Sequence, residues 1–419
     1  MRGRFTPGRE EIEWCDRRLL ARIHRYTIRR LRREIEPVAP ADLMRFLLAW
    51  QHVEPDERLS GPESLEQLLR QLEGVSAPAA AWEGEILPAR LAQYDPVWLD
   101  ALCLSGRYVW GRFGAIDPAS SQGRPIRSTP IALPQRQNLS SWTKPGATGG
   151  RCADAASSDA RKLFERLRER GASFFDELVR DTGLLRTQVE TGLAELVAGG
   201  LVTADSFTGM RALLTPSDRR PPIARRAKRS VAVFGMENAG RWSLLADAGE
   251  CTSLATGEAA EPIARTLLLR YGVVFRALLS NEKLLPPWRE LLAIYRRLED
   301  RGEIRGGRFV DGFSGEQFAL PEAIGRLRKM RRAGPSGSQV AISAADPLNL
   351  VGTIIPGQRP AALAGNRILY RDGEPLAILE AGQVRFMKEL ETSEQWEAQN
   401  RLMRRRVPPQ LRPYLGRPA

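Results

Sequence analysis

The chain has 419 residues, a length that predicts two to four domains. It contains no run of about 18 apolar residues, so no segment is predicted to cross a membrane. Four widely separated cysteines and only two histidines argue against a Cys/His zinc site, a disulfide framework and a histidine base. The 63 basic residues, of which only six are lysine, outnumber 50 acidic residues and give a net charge of +13. This surplus predicts a polyanionic partner, and nucleic acid is the first candidate.

Residues 1–56 are predicted to form a helical N-terminal segment. Apolar side chains recur at helical spacing from residue 10 to residue 36, and arginines fill the opposite face. We expect Arg29, Arg30 and Arg33 on that face to hold DNA phosphates. The alternative is a solvated face whose arginines pair with neighbouring glutamates.

The next stretch, residues 57–116, is predicted to be a winged-helix-like unit. It contains two helical patterns, at 62–72 and 96–104, and a β-rich stretch at 107–113. Residues 117–156 are rich in Pro, Gly, Ser and Gln and are predicted to be a linker with one strand at 129–133.

Residues 157–216 carry the clearest local pattern, that of a winged helix. Three helices at 159–170, 174–180 and 188–198 precede a predicted hairpin whose strands are 201–207 and 210–214. We expect the unit to contact DNA through its recognition helix and its wing. The predicted contact residues are Arg186, Thr187 and Gln188 in the helix, and Arg211 in the wing. Trp242, after Arg241 in a predicted loop, is a weaker candidate for a base contact.

A second winged helix is predicted at residues 236–333, after a basic linker at 217–235. Its helices are predicted at 258–271, 273–279 and 286–301, its wing strands at 304–310 and 315–320, and a trailing helix at 322–332. The predicted DNA-contacting residues are Arg289, Arg296 and Arg297 in the recognition helix, and Arg305 and Arg308 in the wing. Trp288 and Tyr295 have the spacing of core residues.

Short strands dominate residues 334–405, which are predicted to form a small β-barrel or β-sheet domain with a closing helix. Strands are predicted at 338–343, 350–355, 367–370, 374–379 and 383–386. Residues 406–419 are predicted to be a disordered tail. The fold class is therefore α+β, with tandem winged helices followed by a small β-barrel or β-sheet.

Several catalytic motifs are absent from the sequence. There is no GxxxxGK[ST] phosphate loop, no GxGxxG dinucleotide motif after a strand, and no GxSxG nucleophile elbow. We therefore expect no ATP hydrolysis and no nucleotide cofactor from this chain alone.

Seven blocks, in order along the chain, resemble the large helicase-related (Lhr) family of bacterial ATP-dependent DNA helicases. The blocks are residues 13–38, 46–53, 82–100, 127–133, 267–279, 286–323 and 343–357. Full-length members of the family begin with two RecA-like ATPase domains, which this sequence lacks. The chain thus looks like the C-terminal part of a longer protein of this family.

The resemblance implies a function. It implies a DNA-binding module that serves DNA repair and couples to the ATPase core of the same helicase. Single-stranded or forked DNA is the expected ligand, and the expected location is the cytoplasm, at the nucleoid. ATP and Mg²⁺ are expected only in the ATPase core, and no cofactor, metal or membrane is expected for this chain.

The same region resembles winged-helix DNA glycosylases of the AlkZ/YcaQ type. The stretch 343–348 is similar to their SPFDPL sequence, but no match to their Gln-apolar-Gln or Gln-apolar-Asp element is found. This resemblance makes Asp346 a candidate water-activating carboxylate. The alternative for Asp346 is a turn or helix cap before Pro347.

Three hypotheses of function follow. The leading one is a DNA-gripping module of a helicase, and the second is a DNA glycosylase with Asp346 as its base. The third is an assembly module whose winged helices pair into a homo-oligomer.

Overall fold

The computed structural model describes most of the chain. The described residues are 2–4, 6, 8, 10–33, 35–114, 126–143, 156–215, 235–245 and 260–415. Seven side chains within these ranges are not described, namely those of His24, Arg25, Ile28, Arg29, Leu31, Arg33 and Pro413. The predicted linkers at 117–156 and 217–235 lie largely outside the described residues.

The N-terminal segment is a long helix attached to a distant part of the chain. Strands β1 (Arg2–Gly3) and β2 (Glu13–Trp14) pair, and helix α1 (Arg17–Arg33) follows. Beyond α1, Val38 forms a parallel bridge to Val310, and its N–H donates to the carbonyl of Phe309 at 2.8 Å. Backbone pairing therefore holds this segment against residues nearly three hundred positions away.

The 38–143 unit is mainly helical. Its elements are α2 (Pro40–Trp50), α3 (Pro62–Gln71), β3 (Ala77–Pro78), α4 (Ala79–Ala81), α5 (Leu87–Arg90), α6 (Pro96–Leu104), β4 (Pro130–Ile131) and α7 (Leu139–Trp142). A π-helical turn, Trp82–Ile86, joins α4 to α5, and the Asp95 carboxylate caps α6. The predicted strand at 107–113 is wrong, because only the single bridges of Tyr108 and Gly111 form there.

The 156–245 unit has the three helices and three-stranded sheet of a winged helix, with a fourth helix between two of the strands. Its elements are α8 (Ser158–Arg170), β5 (Ser173–Phe174), α9 (Phe175–Thr182), α10 (Arg186–Ala198), β6 (Val202–Ala204), α11 (Thr208–Leu214) and β7 (Arg241–Leu244). The sheet order is β5–β7–β6. The predicted second strand at 210–214 is wrong, because α11 forms there and the distant β7 pairs with β6 instead.

A tertiary contact explains this error. The Asp100 carboxylate accepts hydrogen bonds from the backbone N–H of Thr208, at 2.9 Å, and from its hydroxyl, at 3.2 Å. The Thr208 N–H, in the first turn of α11, has no acceptor within the helix, and the distant Asp100 supplies one. Local β propensity is overridden, as is common for short elements.

The 260–333 unit is the more regular winged helix. Its elements are α12 (Ala260–Tyr271), β8 (Val273–Val274), α13 (Trp288–Asp300), β9 (Arg305–Gly307), β10 (Gln317–Ala319) and α14 (Pro321–Ala333). The sheet order is β8–β10–β9, and the wing strands β9 and β10 lie within the predicted ranges. The predicted helix at 273–279 is wrong: its β-branched valines pair with β10, and a short 3-10 helix, Leu278–Asn281, follows.

An antiparallel sheet of four strands forms the last unit. Its elements are β11 (Gln339–Ser343), β12 (Arg367–Arg371), β13 (Glu374–Glu380), β14 (Gln383–Phe386), α15 (Thr392–Met403) and α16 (Arg412–Leu415). The described strands run in the order β11–β12–β13–β14 and do not close into a barrel. Residues 350–355 form a turn around Gly352 (φ +79°) instead of the predicted strand.

The tail predicted to be disordered is packed in its described part. Leu411, Tyr414 and Leu415 are buried against the 38–143 and 156–245 units. The Thr215 hydroxyl donates to the Tyr414 carbonyl at 3.0 Å. Three large apolar side chains at helical spacing therefore anchor the segment up to residue 415, despite its arginines and prolines.

Two large apolar cores hold the units together. One joins α2 to the 260–333 unit and the sheet, and the other joins α3–α6 to the 156–245 unit and the tail. The 38–143 unit contributes to both cores, so it links the 156–245 unit to the 260–333 unit. No helix in the described ranges is long and apolar enough to span a bilayer.

The ion pairs of Arg211 allow a test of how these units are joined. Arg211 is 1% exposed and binds both oxygens of Glu83, at 2.7 and 2.8 Å, and Asp100 at 2.5 Å. We expect Arg211→Ala to lower the free energy of unfolding by about 3–5 kcal/mol, because Glu83 would stay buried without its counter-charge. Thermal denaturation measures this loss.

The control for this prediction is Arg241→Ala. Arg241 also pairs with a carboxylate, that of Asp205 at 2.9 Å, but its side chain is 54% exposed. Its loss should cost at most about 1 kcal/mol. Equal effects of the two substitutions would contradict the role assigned to Arg211.

Candidate nucleic-acid interface

The recognition helix of the 260–333 unit has a buried apolar face and an exposed basic one. Pro286 and Pro287 precede α13 and favour a helix start at that point. The buried apolar positions are Leu291, Ile294, Tyr295 and Leu298. Arginines occupy much of the outward face, as predicted from their spacing.

Three of the predicted arginines here are available for a ligand. Arg289 and Arg297 on α13 and Arg305 on β9 are exposed, and none has a carboxylate partner among the described residues. They present cationic groups from the helix and from the wing on one unit. Winged helices use these two elements to hold DNA, with arginines on the phosphates.

The two other predicted arginines form exposed ion pairs. Arg296 donates to Glu316 at 2.6 Å, and Arg308 donates to Asp311 at 2.8 Å. Their side chains are 59% and 64% exposed. Exposed pairs of this kind contribute little free energy, about 0–1 kcal/mol, so a phosphate can compete for either arginine.

Helix α1 extends the basic surface beside the wing. Arg32 donates to Glu299 of α13 at 2.9 Å and lies 3.6 Å from Glu316. The hydrogen bond to Glu299 raises the pKa of Arg32. Of the three arginines predicted on α1, Arg30 is exposed, and the side chains of Arg29 and Arg33 lie outside the described residues. The end of α1 thus packs on the wing.

The recognition helix of the 156–245 unit is far less suited to an anion. Arg186, the only cation of α10, pairs with Asp176 and Glu237, and the hydrogen bond to Asp176 raises its pKa. Gln188 accepts from the Leu185 N–H at 2.9 Å and donates to Asp159 at 3.1 Å. Of the three residues predicted in this helix, only Thr187 is exposed without a described side-chain bond.

Two residues of the 156–245 unit were wrongly predicted to contact DNA. Arg211 lies in the interior with its carboxylate partners, because residues 208–214 form a helix and not a wing strand. Trp242 is fully buried in β7, with its ring edge-on to Trp110 at 6.2 Å between centroids. Both side chains serve packing between units.

Asp346, the candidate catalytic carboxylate, lies in a buried ion pair. Its two oxygens accept from Arg90 of α5 at 2.6 and 2.9 Å, and both side chains are at most 1% exposed. Asp346 also accepts from the Leu348 N–H at 2.9 Å, as the turn interpretation expects. Arg90 is further bound to Gln51 at 2.9 Å. The arrangement joins the sheet unit to the 38–143 unit.

Arg276 was missed by the sequence reasoning. It is exposed just beyond β8, in the stretch wrongly assigned to a helix, and has no carboxylate partner in the described ranges. An arginine within an apolar segment, VVFRALL, was the available signal. No group of three His, Cys, Asp or Glu side chains that could hold a metal ion occurs among the described residues.

Comparison with known proteins finds matches to one protein family. Residues 38–131 and 253–339 match two family models, both described as "Large helicase-related protein, winged-helix domain", for the third and fourth such domains. The chain is similar to large helicase-related proteins over these two segments. It corresponds to the C-terminal region of these proteins, as the sequence blocks predicted.

Two curated relatives align with most of the chain. "Lhr helicase/ probable uracil glycosylase" of Mycolicibacterium smegmatis is 29% identical over 408 residues, which is 91% of this chain. "Lhr helicase/uracil glycosylase" of Escherichia coli is 28% identical over 411 residues, 88% of this chain. The chain spans about a quarter of the length of these relatives, since the aligned part is 26% of each.

The buried pair of Asp346 gives a prediction that separates structure from catalysis. We expect Asp346→Asn to lower the thermal midpoint clearly, because Arg90 would keep its charge in the interior without a counter-ion. Differential scanning calorimetry of both proteins measures this. An unchanged midpoint would contradict a structural role.

Proposed function

We propose that this Lhr region binds DNA through the 260–333 unit, as the DNA-gripping module of a helicase whose ATPase core lies elsewhere in the protein. One observation carries the proposal: α13 and the adjoining wing present Arg289, Arg297 and Arg305, all exposed and without a described carboxylate partner. The net charge of +13 favours the approach of DNA to this surface. A role in DNA repair belongs to the same proposal.

The two winged helices are proposed to differ in their tasks. The α10 helix carries one cation, which two carboxylates already neutralise, whereas α13 carries three arginines on its outward face. We therefore assign phosphate binding to the 260–333 unit. The 156–245 unit serves mainly to pack against the 38–143 unit.

The salt dependence of binding tests this assignment. On duplex DNA the double variant Arg289→Ala/Arg297→Ala should reduce the slope of log K against log salt by about two, since each duplex phosphate contact contributes about 0.9. Fluorescence anisotropy with a labelled oligonucleotide at several salt concentrations measures the slope. At low salt, the double variant should also bind every tested DNA sequence more weakly than the unmodified chain.

Arg186→Ala is the matched control, because Arg186 occupies the corresponding first turn of α10. Arg186 lies between two carboxylates, so this cluster has a net negative charge that repels a phosphate, and both slope and affinity should stay close to those of the unmodified chain. A slope that is unchanged in the double variant, or lowered equally by Arg186→Ala, would contradict the assignment of phosphate binding to the 260–333 unit.

Base excision is the second candidate function. It is favoured by the names of both relatives, which include uracil glycosylase. An oligonucleotide with one uracil, treated with the purified chain and then with alkali, should break at the uracil if the activity resides in this region. The same oligonucleotide with thymine is the control. Intact uracil DNA at excess protein would remove this candidate.

Association into a homo-oligomer stays a prediction from the repeated winged helices. Light scattering coupled to size exclusion measures the mass in solution, and a monomer at micromolar concentration would count against it.

A further inference from the structure

A cleft opens between the recognition helix and the wing of the 260–333 unit. It has a volume of about 640 Å³, within the range of small-ligand sites. Trp288 of α13 and Phe313 of the wing line it, with Leu279 and Leu285 among its apolar residues. The cleft therefore lies where a winged helix receives DNA, and two of its lining side chains are aromatic.

Both rings are held in place by buried aromatic neighbours. The Trp288 ring lies 6.1 Å from that of Tyr295, and the Phe313 ring lies 5.1 Å from that of Phe275. Tyr295 and Phe275 are fully buried, whereas Trp288 and Phe313 are half-buried. Each lining ring is thus supported by the core and partly open to solvent, which is the arrangement of a stacking platform.

The wing that carries Phe313 is also fixed. Gln317 is fully buried, and its amide oxygen accepts from the N–H groups of Phe309 and Val310 at 2.9 and 2.8 Å. Its amide nitrogen donates back to the Val310 carbonyl at 2.9 Å. Gly312 takes a φ of +82°, which lets the chain turn just before Phe313. The cleft therefore needs little rearrangement to accept a ligand.

The polar groups at the cleft favour an anionic ligand. Arg276 lines it, is exposed and has no described carboxylate partner, and the exposed Ser280 offers a hydroxyl. The one lining carboxylate, Glu282, is already bound to Arg270 and to the Tyr271 hydroxyl. The lining therefore combines aromatic faces for a planar ring with a free guanidinium for a phosphate.

We propose that this cleft binds one unstacked base of single-stranded DNA, between Trp288 and Phe313, with the adjoining phosphate at Arg276. The inference rests on the proposed DNA-binding function and specifies its substrate. A base inside a duplex is stacked on both faces and cannot enter, so the cleft gives the region a preference for single strands.

Photo-crosslinking of the unmodified chain tests the placement. A single-stranded oligonucleotide with 5-iodouracil at one position is bound, irradiated at long wavelength and digested, and the crosslinked peptide is identified by mass spectrometry. We expect crosslinks at Trp288 or Phe313. Crosslinks at other residues alone would overturn the cleft while leaving DNA binding intact. Failure to bind any DNA would overturn the proposed function, and this inference with it.

Substitution of the ring tests its contribution to affinity. Trp288→Leu keeps an apolar side chain and should weaken binding to single-stranded DNA about tenfold, with duplex affinity nearly unchanged, because a base–aromatic stack is lost. Phe313→Leu should act in the same direction. Trp396→Leu is the matched control, since Trp396 is 70% exposed on α15 in another unit. Equal losses for single-stranded and duplex DNA, or none for either cleft variant, would overturn the proposal.

Discussion

The arrangement of the units in this chain depends on arginines that are buried at the junctions between them. Arg90, Arg211 and Arg270 are each at most 1% exposed, and each binds groups from another unit. A buried guanidinium is tolerated only with a counter-charge and hydrogen bonds at fixed positions. Each junction is therefore specified by directional contacts, whereas the apolar cores around it supply most of the driving force.

The same constraint sorts the arginine surplus into two functional classes. Interior arginines meet carboxylates that are also buried, such as Glu83 and Asp346, and contribute no field to the surface. The cationic surplus of the chain therefore does not come from these interior pairs. The cations that matter for an anionic ligand are those left unpaired at the surface, and α13 with its wing displays three of them on one unit.

Periodic patterns correctly predicted the regular helices and strands. They failed where contacts with distant residues determine the secondary structure. The helix bounds at 96–104 and the wing strands β9 and β10 follow from local spacing and turn residues. Residues 210–214 could not be assigned, because their helix is capped by Asp100. The site shows the same limit. The sequence alone does not distinguish Arg211 from Arg289, because both are arginines in a basic chain. Only the folded positions of Glu83 and Asp100 show that Arg211 is buried.

The contrast between the two recognition helices shows how one scaffold acquires two roles. Both begin with an arginine in the first turn, but Arg186 lies among carboxylates of its own unit, while Arg289 follows a tryptophan that lines an open cleft. In the first case two carboxylates outweigh the single cation, and the helix has little left to offer a polyanion. In the second case, on α13, an arginine without a described carboxylate partner lies next to an aromatic side chain that is partly open to solvent. Since a duplex hides its base faces and a single strand exposes them, the aromatic part of this surface is suited to unpaired DNA.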